Sequence, residues 1–147
     1  MKKALYLLFV LVVLCSCQPS AKLADLPKIN GYWEITSVEF PDGNHKEYSI
    51  NESFDYFDIK NQKGYRKKVM PQLDGTFLTN DLSESISAQE KDGKLILICL
   101  TPYAQWKETV LILTDQELVI ENDSHKKYHY KKAQPINLIP HEQKTKQ

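Results

Sequence analysis

The sequence predicts an all-β domain, and three observations carry that prediction. From Gly31 onward, short segments rich in aromatic and β-branched residues alternate apolar with polar positions. Turn-forming clusters such as Pro41-Asp-Gly-Asn44, Leu73-Asp-Gly75, Asp92-Gly93 and Asn122-Asp-Ser124 separate these segments. Over the same span no segment shows an amphipathic helical period of useful length. About eight to nine strands spaced roughly 8–12 residues apart suit an antiparallel sandwich or a closed barrel.

The elements follow in order. Gly31 to Phe40 alternates and is rich in aromatic and β-branched residues, and Lys46 to Ile50 reads as a second, short strand. Ser53 to Ile59 puts Phe57 and Ile59 on one face and Phe54 and Tyr56 on the other. Asn61-Gln-Lys-Gly64 reads as a turn. Tyr65 to Met70 then sets Tyr65 and Val69 against Arg66 and Lys68. Thr76 to Thr79 is short, and Ser83 to Gln89 alternates Ile86 and Ala88 against polar positions. The Asp92-Gly93 pair is a strong hairpin signal. Leu95 to Leu100 is apolar throughout, which predicts a strand covered on both sides. Trp106 to Leu113, Glu117 to Glu121 and Lys127 to Lys132 complete the series.

Composition narrows the function. A chain of 147 residues allows one modest domain. Lys+Arg and Asp+Glu balance at 19 each, which disfavours nucleic acid as a partner, since phosphate neutralisation needs a net basic surface. No internal repeat is evident. Residues 134–147 contain Pro135 and Pro140 and are largely polar, so a disordered tail is expected. Packing of Ile136, Leu138 and Ile139 on the domain is the alternative.

The first sixteen residues read as an address. Lys2 and Lys3 precede an apolar run from Ala4 to Leu14, too short to span a hydrocarbon core of about 30 Å. Leu14-Cys15-Ser16-Cys17 resembles the lipobox of bacterial lipoproteins. The resemblance implies that residues 1–16 are a signal peptide and that Cys17 carries palmitate-type acyl chains. Bulky Val13-Leu14 before Cys15 makes Cys17 the preferred position. Residues 17–29 then form a lipidated tether, and the domain lies at the bacterial cell envelope, in the periplasm or at the cell surface, with the outer membrane favoured over the inner. Only Cys99 remains in the body of the domain. Its apolar surroundings suit a buried, inert thiol.

Gly31-Tyr32-Trp33 resembles the Gly-x-Trp motif that opens the first strand of lipocalins and of smaller lipocalin-like domains. The resemblance spans residues 30–133 and implies a small up-and-down antiparallel β-barrel of about eight strands. Gly31 lets the chain bend into the barrel base and Trp33 plugs it. A basic residue of the last strand, Lys131 or Lys132, is implied to lie across the indole. The same reading expects a membrane-anchored protein with a pocket for a small hydrophobic ligand. Its candidate lining is Phe57, Ile59, Tyr65, Val69, Ile86, Trp106, Val110 and Ile112. The short span supports the alternative: these residues simply fill the core, and the barrel docks another envelope protein. No nucleophile elbow, zincin motif or phosphate loop occurs, so no enzyme activity, catalytic residue or cofactor is expected. Asp55 and Asp58 fall on opposite faces of a strand. His125 and His129 sit among lysines without a third ligand, so no metal is expected.

Overall fold

Tight turns at one end and long loops at the other shape the strands into a cup. The computed structural model describes residues 20–133; the signal sequence, Cys17 and residues 134–147 lie outside the described residues. A 3-10 helix, Leu23–Ile29, precedes ten strands: β1 Gly31–Glu39, β2 His45–Glu47, β3 Phe54–Lys60, β4 Lys63–Pro71, β5 Phe77–Thr79, β6 Glu84–Lys91, β7 Lys94–Leu100, β8 Gln105–Leu113, β9 Glu117–Asn122 and β10 Lys127–Lys132. Eight of them, all but β2 and β5, form an antiparallel barrel in which each pairs with the next. The barrel closes where β1 meets β10, from Trp33 opposite Lys132 to Glu39 opposite Lys127. The expected small up-and-down barrel is therefore the observed architecture.

The two short strands extend the wall at the open end. β2 pairs with β1 at Ser37–Glu39, beyond the stretch Gly31–Trp33 that β3 uses. β5 pairs with β4 at Val69–Pro71, beyond the stretch that β6 uses. At the opposite end the connections are short. Asn61 (φ 49°) and Gln62 (φ 68°) join β3 to β4, and Asp92 (φ 53°) and Gly93 (φ 72°) join β6 to β7. Both pairs are left-handed at both positions, as a type I′ two-residue hairpin turn requires. The turn after β3 is thus two residues, not the four expected. Lys63 and Gly64 already belong to β4, and a Cβ on Gly64 would lie 1.9 Å from the Asp58 carbonyl oxygen.

The 3-10 helix seals this end. Residues 17–29 were expected to be a tether, but from Ala21 onward they belong to the domain. Leu26 and Ile29, three apart and hence on one face of a 3-10 turn, are buried with Ala21 in the barrel core. The Ala21 N–H donates to the Leu111 carbonyl of β8 (3.2 Å). Burying two large aliphatic side chains contributes about 1.5–3 kcal/mol each, enough to hold a short segment with little helix propensity of its own.

Leu95, Leu97 and Cys99 of β7 face inward and are buried. Ile96 and Ile98 are only half-buried on the outer wall, and Leu100 is exposed. The expectation of a strand covered on both sides is corrected: the barrel has one interior, and the outer face of β7 is only partly covered.

Candidate functional site

Cross-strand partners share a face, so the register fixes which candidates look inward. Phe57, Ile59, Ile86 and Val110 belong to the buried core, and Trp106 packs against it. Three candidates lie elsewhere. Tyr65 sits opposite Asp58 and Val69 opposite Phe54, on the outer wall, because Gly64 and Arg66 take the inward positions opposite Ile59 and Phe57. Ile112 sits opposite Val119, and neither joins the core cluster. A β-bulge between Val110 and Ile112 reverses the alternation there. Tyr65 instead extends an outer aromatic row. Its ring lies 6.2 Å from Tyr56, Tyr56 lies 4.7 Å from Tyr32, and Tyr32 stacks on Phe77 at 4.1 Å.

The closed end is built on the Gly31-x-Trp33 motif. Trp33 is fully buried, and its Nε1 donates to the Ile29 carbonyl at 2.6 Å. Lys132 Nζ lies 4.2 Å from the Trp33 ring centre and donates to the carbonyls of Lys28 and Asn30. Lys131 points outside, to Glu34 (3.0 Å). Lys132 is thus the cation on the indole. Burial holds its pKa below the ordinary lysine value, with Asp115 pulling the other way. Gly31 has φ +107°, a conformation open to glycine at little cost, and its Cα faces the Lys132 side chain closely enough that a Cβ would touch it.

Toward the open end the interior turns polar. Arg66 is 9% exposed and forms a bidentate pair with Glu108, 7% exposed, at 2.9 and 3.0 Å. Arg66 Nε also donates to Glu84 Oε2 (2.6 Å), and Trp106 Nε1 to Glu108 Oε1 (2.9 Å). Lys68 Nζ donates to Asp55 Oδ2 (2.8 Å). Burial would lower the Arg66 pKa, but the Glu108 and Glu84 carboxylates outweigh it and hold the guanidinium charged. Burial raises the Tyr130 hydroxyl well above its usual value, and the Asp55 carboxylate adds to this. Among the described residues no buried side-chain nitrogen or oxygen lacks a hydrogen-bond partner.

Above this network lies a cavity of ≈ 380 Å³. Its floor is Asp55, Arg66, Lys68 and Glu84; its rim is Asn80, Leu82 and Ser83 from the loop before β6, and Thr101, Pro102 and Tyr103 after β7. Leu82 and Tyr103 are exposed, as are Ile50, Leu73, Met70 and Leu78 of the neighbouring open-end loops and strand tips. A second hollow of ≈ 390 Å³, lined by Ser85, Ser87, Ile98 and Leu100 among others, is a groove on the outer wall. Among the described residues no three His, Cys, Asp or Glu side chains are grouped to hold a metal ion. His125 sits in the β9–β10 turn (φ 56°) with Nδ1 3.1 Å from Glu121, apart from His129 on β10. The site residues that the sequence reading missed are Asp55, Arg66, Lys68, Glu84 and Glu108.

A closed eight-stranded antiparallel barrel, plugged at one end by a 3-10 helix and a Gly-x-Trp tryptophan and open at the other, defines a lipocalin-type cup. Residues 29–120 match the family described as the lipocalin-like domain, and the chain belongs to that family. Among solved structures it is similar to the crystal structure of a lipocalin-like protein from Bacteroides uniformis. That match has 14% identity and a TM-score of 0.46, and covers 72% of this chain and 99% of the other. No curated protein matches the chain.

Proposed function

We propose that the protein is a lipid-anchored lipoprotein of the bacterial envelope whose barrel mouth holds a small hydrophobic ligand. The observation that carries the ligand reading is the ≈ 380 Å³ cavity at the open end, bordered by exposed Leu82 and Tyr103. Soluble proteins seldom leave several large apolar side chains exposed around one opening unless something covers them. The anchor reading rests on Leu14-Cys15-Ser16-Cys17 behind an apolar run. Two variants test the parts separately. Cys17→Ser should leave the precursor uncut and unable to take up labelled palmitate, and uptake equal to that of the native chain would overturn the anchor; the same substitution in a chain begun at position 17 gives a soluble form. The soluble form should bind an apolar dye saturably, and a linear, non-saturating titration would overturn the ligand.

The second reading is a filled barrel that docks another envelope protein. It is favoured by the closed half of the interior, where Trp33, Phe57, Leu95, Leu97 and Leu118 leave no exposed surface. A stoichiometric partner recovered from detergent-solubilised envelopes, with no dye binding, would select it.

A further inference from the structure

We propose that the rim of the barrel mouth docks a basic amphipathic polypeptide segment, one that interleaves lysine or arginine with large apolar side chains. The inference rests on the second reading above, a barrel that docks another envelope protein, and adds the chemistry of the partner's surface.

The rim exposes more apolar surface than a cavity ligand could cover. Leu82 and Tyr103 line the cavity, but Ile50 (87% exposed) and Leu73 (84% exposed), with Met70 and Leu78, lie outside its lining. A ligand seated in the cavity leaves these four in water. They come from separate places: Ile50 from the connection between β2 and β3, Leu73 from the β4–β5 turn, and Met70 and Leu78 from the paired strands of that hairpin. Apolar surface spread over several segments around one opening suits a macromolecular partner.

Charge selects the class of partner. The open-end connections, residues 40–53, 72–83, 101–104 and 123–126, carry six carboxylates: Asp42, Glu47, Glu52, Asp74, Asp81 and Asp123. Against them stand two lysines, Lys46 and Lys126. All six acidic residues are exposed, and among the described residues none is ion-paired with lysine or arginine; Glu47 has only His45, at 4.0 Å. The two lysines lie over aromatic rings instead, Lys46 4.8 Å from the Tyr48 ring centre and Lys126 5.6 Å from that of Phe40. Hydrogen bonds from the backbone and side chain of Asn44 hold the Asp42 carboxyl below its ordinary value, and those from the hydroxyl and backbone of Thr76 do the same for Asp74. The floor beneath the rim offers no positive surplus, since Asp55, Glu84 and Glu108 face Arg66 and Lys68. Acids and apolar tips are interleaved: Leu73 precedes Asp74, Leu82 follows Asp81, and Ile50 lies two residues before Glu52. Such a rim repels nucleic acid and anionic lipid surfaces. Lysines set among leucines on a partner satisfy both of its features, the charge steering the encounter and the apolar contacts holding it.

The test uses the soluble chain begun at position 17 with Cys17→Ser. Two fluorophore-labelled helical peptides share one leucine pattern and carry either lysine or glutamate at the remaining positions. Each is held below its aggregation concentration and titrated with the protein, with fluorescence anisotropy as the readout. The lysine peptide is expected to saturate and to bind at least about tenfold more tightly than the glutamate peptide. Its affinity should fall as salt rises from about 0.05 to about 0.5 M. Glu52→Lys with Asp81→Lys, on two different connections, should abolish or reverse the preference, whereas Asp115→Lys at the closed end should leave it unchanged within about twofold. Ile50→Ser with Leu73→Ser should weaken the lysine peptide about tenfold with its salt dependence kept. All these side chains are exposed, so the variants should melt at the parent's temperature. Equal binding of the two peptides, or tighter binding of the glutamate peptide, overturns the inference about charge and leaves the docking reading standing. Failure of both to saturate overturns the docking reading as well. A loss with Asp115→Lys as large as that with the rim pair, or an unaltered affinity in the apolar pair, overturns the assignment to the rim.

Discussion

At the scale of single residues, the most consequential side chain is Arg66. It is largely buried and satisfies Glu108 on both carboxylate oxygens. Arg66→Met should cost roughly 3–5 kcal/mol, because Glu108 is left buried with only Trp106 Nε1 as partner. Adding Glu108→Leu should recover most of that loss, and urea unfolding of the single and double variants measures both. A recovery smaller than the measurement error would show that the pair is not the cause. This network was legible in part. Trp106 and Val110 were read as inward, and strict alternation then turns Glu108, midway between them, inward as well. Phe57 and Ile59 do the same for Asp55. Two buried carboxylates demand cations, and β4 meets that demand: Arg66 goes inside, while Lys68, largely exposed, reaches back to Asp55, and Val69 is buried against the other face opposite Phe54. Cys99 lies beside the same network. Burial, then Glu108, pushes its thiol up to about 12 from an ordinary 9.0, against Arg66. A raised acid pKa means that the stability from burying the neutral thiol is complete below pH 9.0 and is lost as pH rises toward about 12. Iodoacetamide at pH 8 should therefore modify Cys99 only on unfolding, and Cys99→Ala should flatten the alkaline part of the stability profile.

At the scale of elements, each strand was legible with its ends displaced by no more than about three residues, because turn chemistry and alternation mark nearly the same boundaries. What alternation could not carry was any place where the backbone breaks period two. The bulge between Val110 and Ile112 sends Ile112 to the outer wall, and the one between Ile35 and Ser37 turns Val38 inward, opposite Tyr128. Neither bulge has a glycine or proline to announce it. The 3-10 helix was hidden for another reason: in Leu-Ala-Asp-Leu-Pro-Lys-Ile the apolar residues are too few for a helical period. Their burial depends on the barrel base that they close. The β3–β4 turn stores a correctable cost. Gln62 is exposed and holds φ 68°, where a residue with a Cβ is strained. Gln62→Gly should stabilise the protein by about 0.5–1 kcal/mol, since the side chain meets solvent and the hydrogen bond from the Ala88 N–H uses only the Gln62 carbonyl. A lowered unfolding midpoint in that variant would count against the turn assignment.

At the scale of the whole molecule, the two ends of the cup differ in what they present. The closed end carries tight turns, the helix and the Trp33 plug; the open end carries the cavity and every large hydrophobic side chain that is exposed among the described residues. The proposed anchor gives this polarity a direction. Ala21 is fixed to Leu111 near the base of β8, and Cys17 is four residues upstream, at most about 14 Å of extended chain. β8 alone rises roughly 20 Å along the barrel axis at about 3.4 Å per residue and the usual tilt. A leash shorter than the barrel cannot let it invert. With Cys17 lipidated, the closed end stays near the bilayer and the mouth opens toward the aqueous side, where the exposed rim can meet a ligand. The shielded Cys99 leaves introduced cysteines selectively reactive, so the orientation can be read directly. A fluorophore on Asp92→Cys, at the β6–β7 turn, should be strongly quenched by nitroxide-labelled lipid head groups in vesicles carrying the lipidated protein. The same fluorophore on Tyr103→Cys should be quenched weakly. Equal quenching at both positions would mean that the barrel lies on its side or that the mouth rests on the membrane.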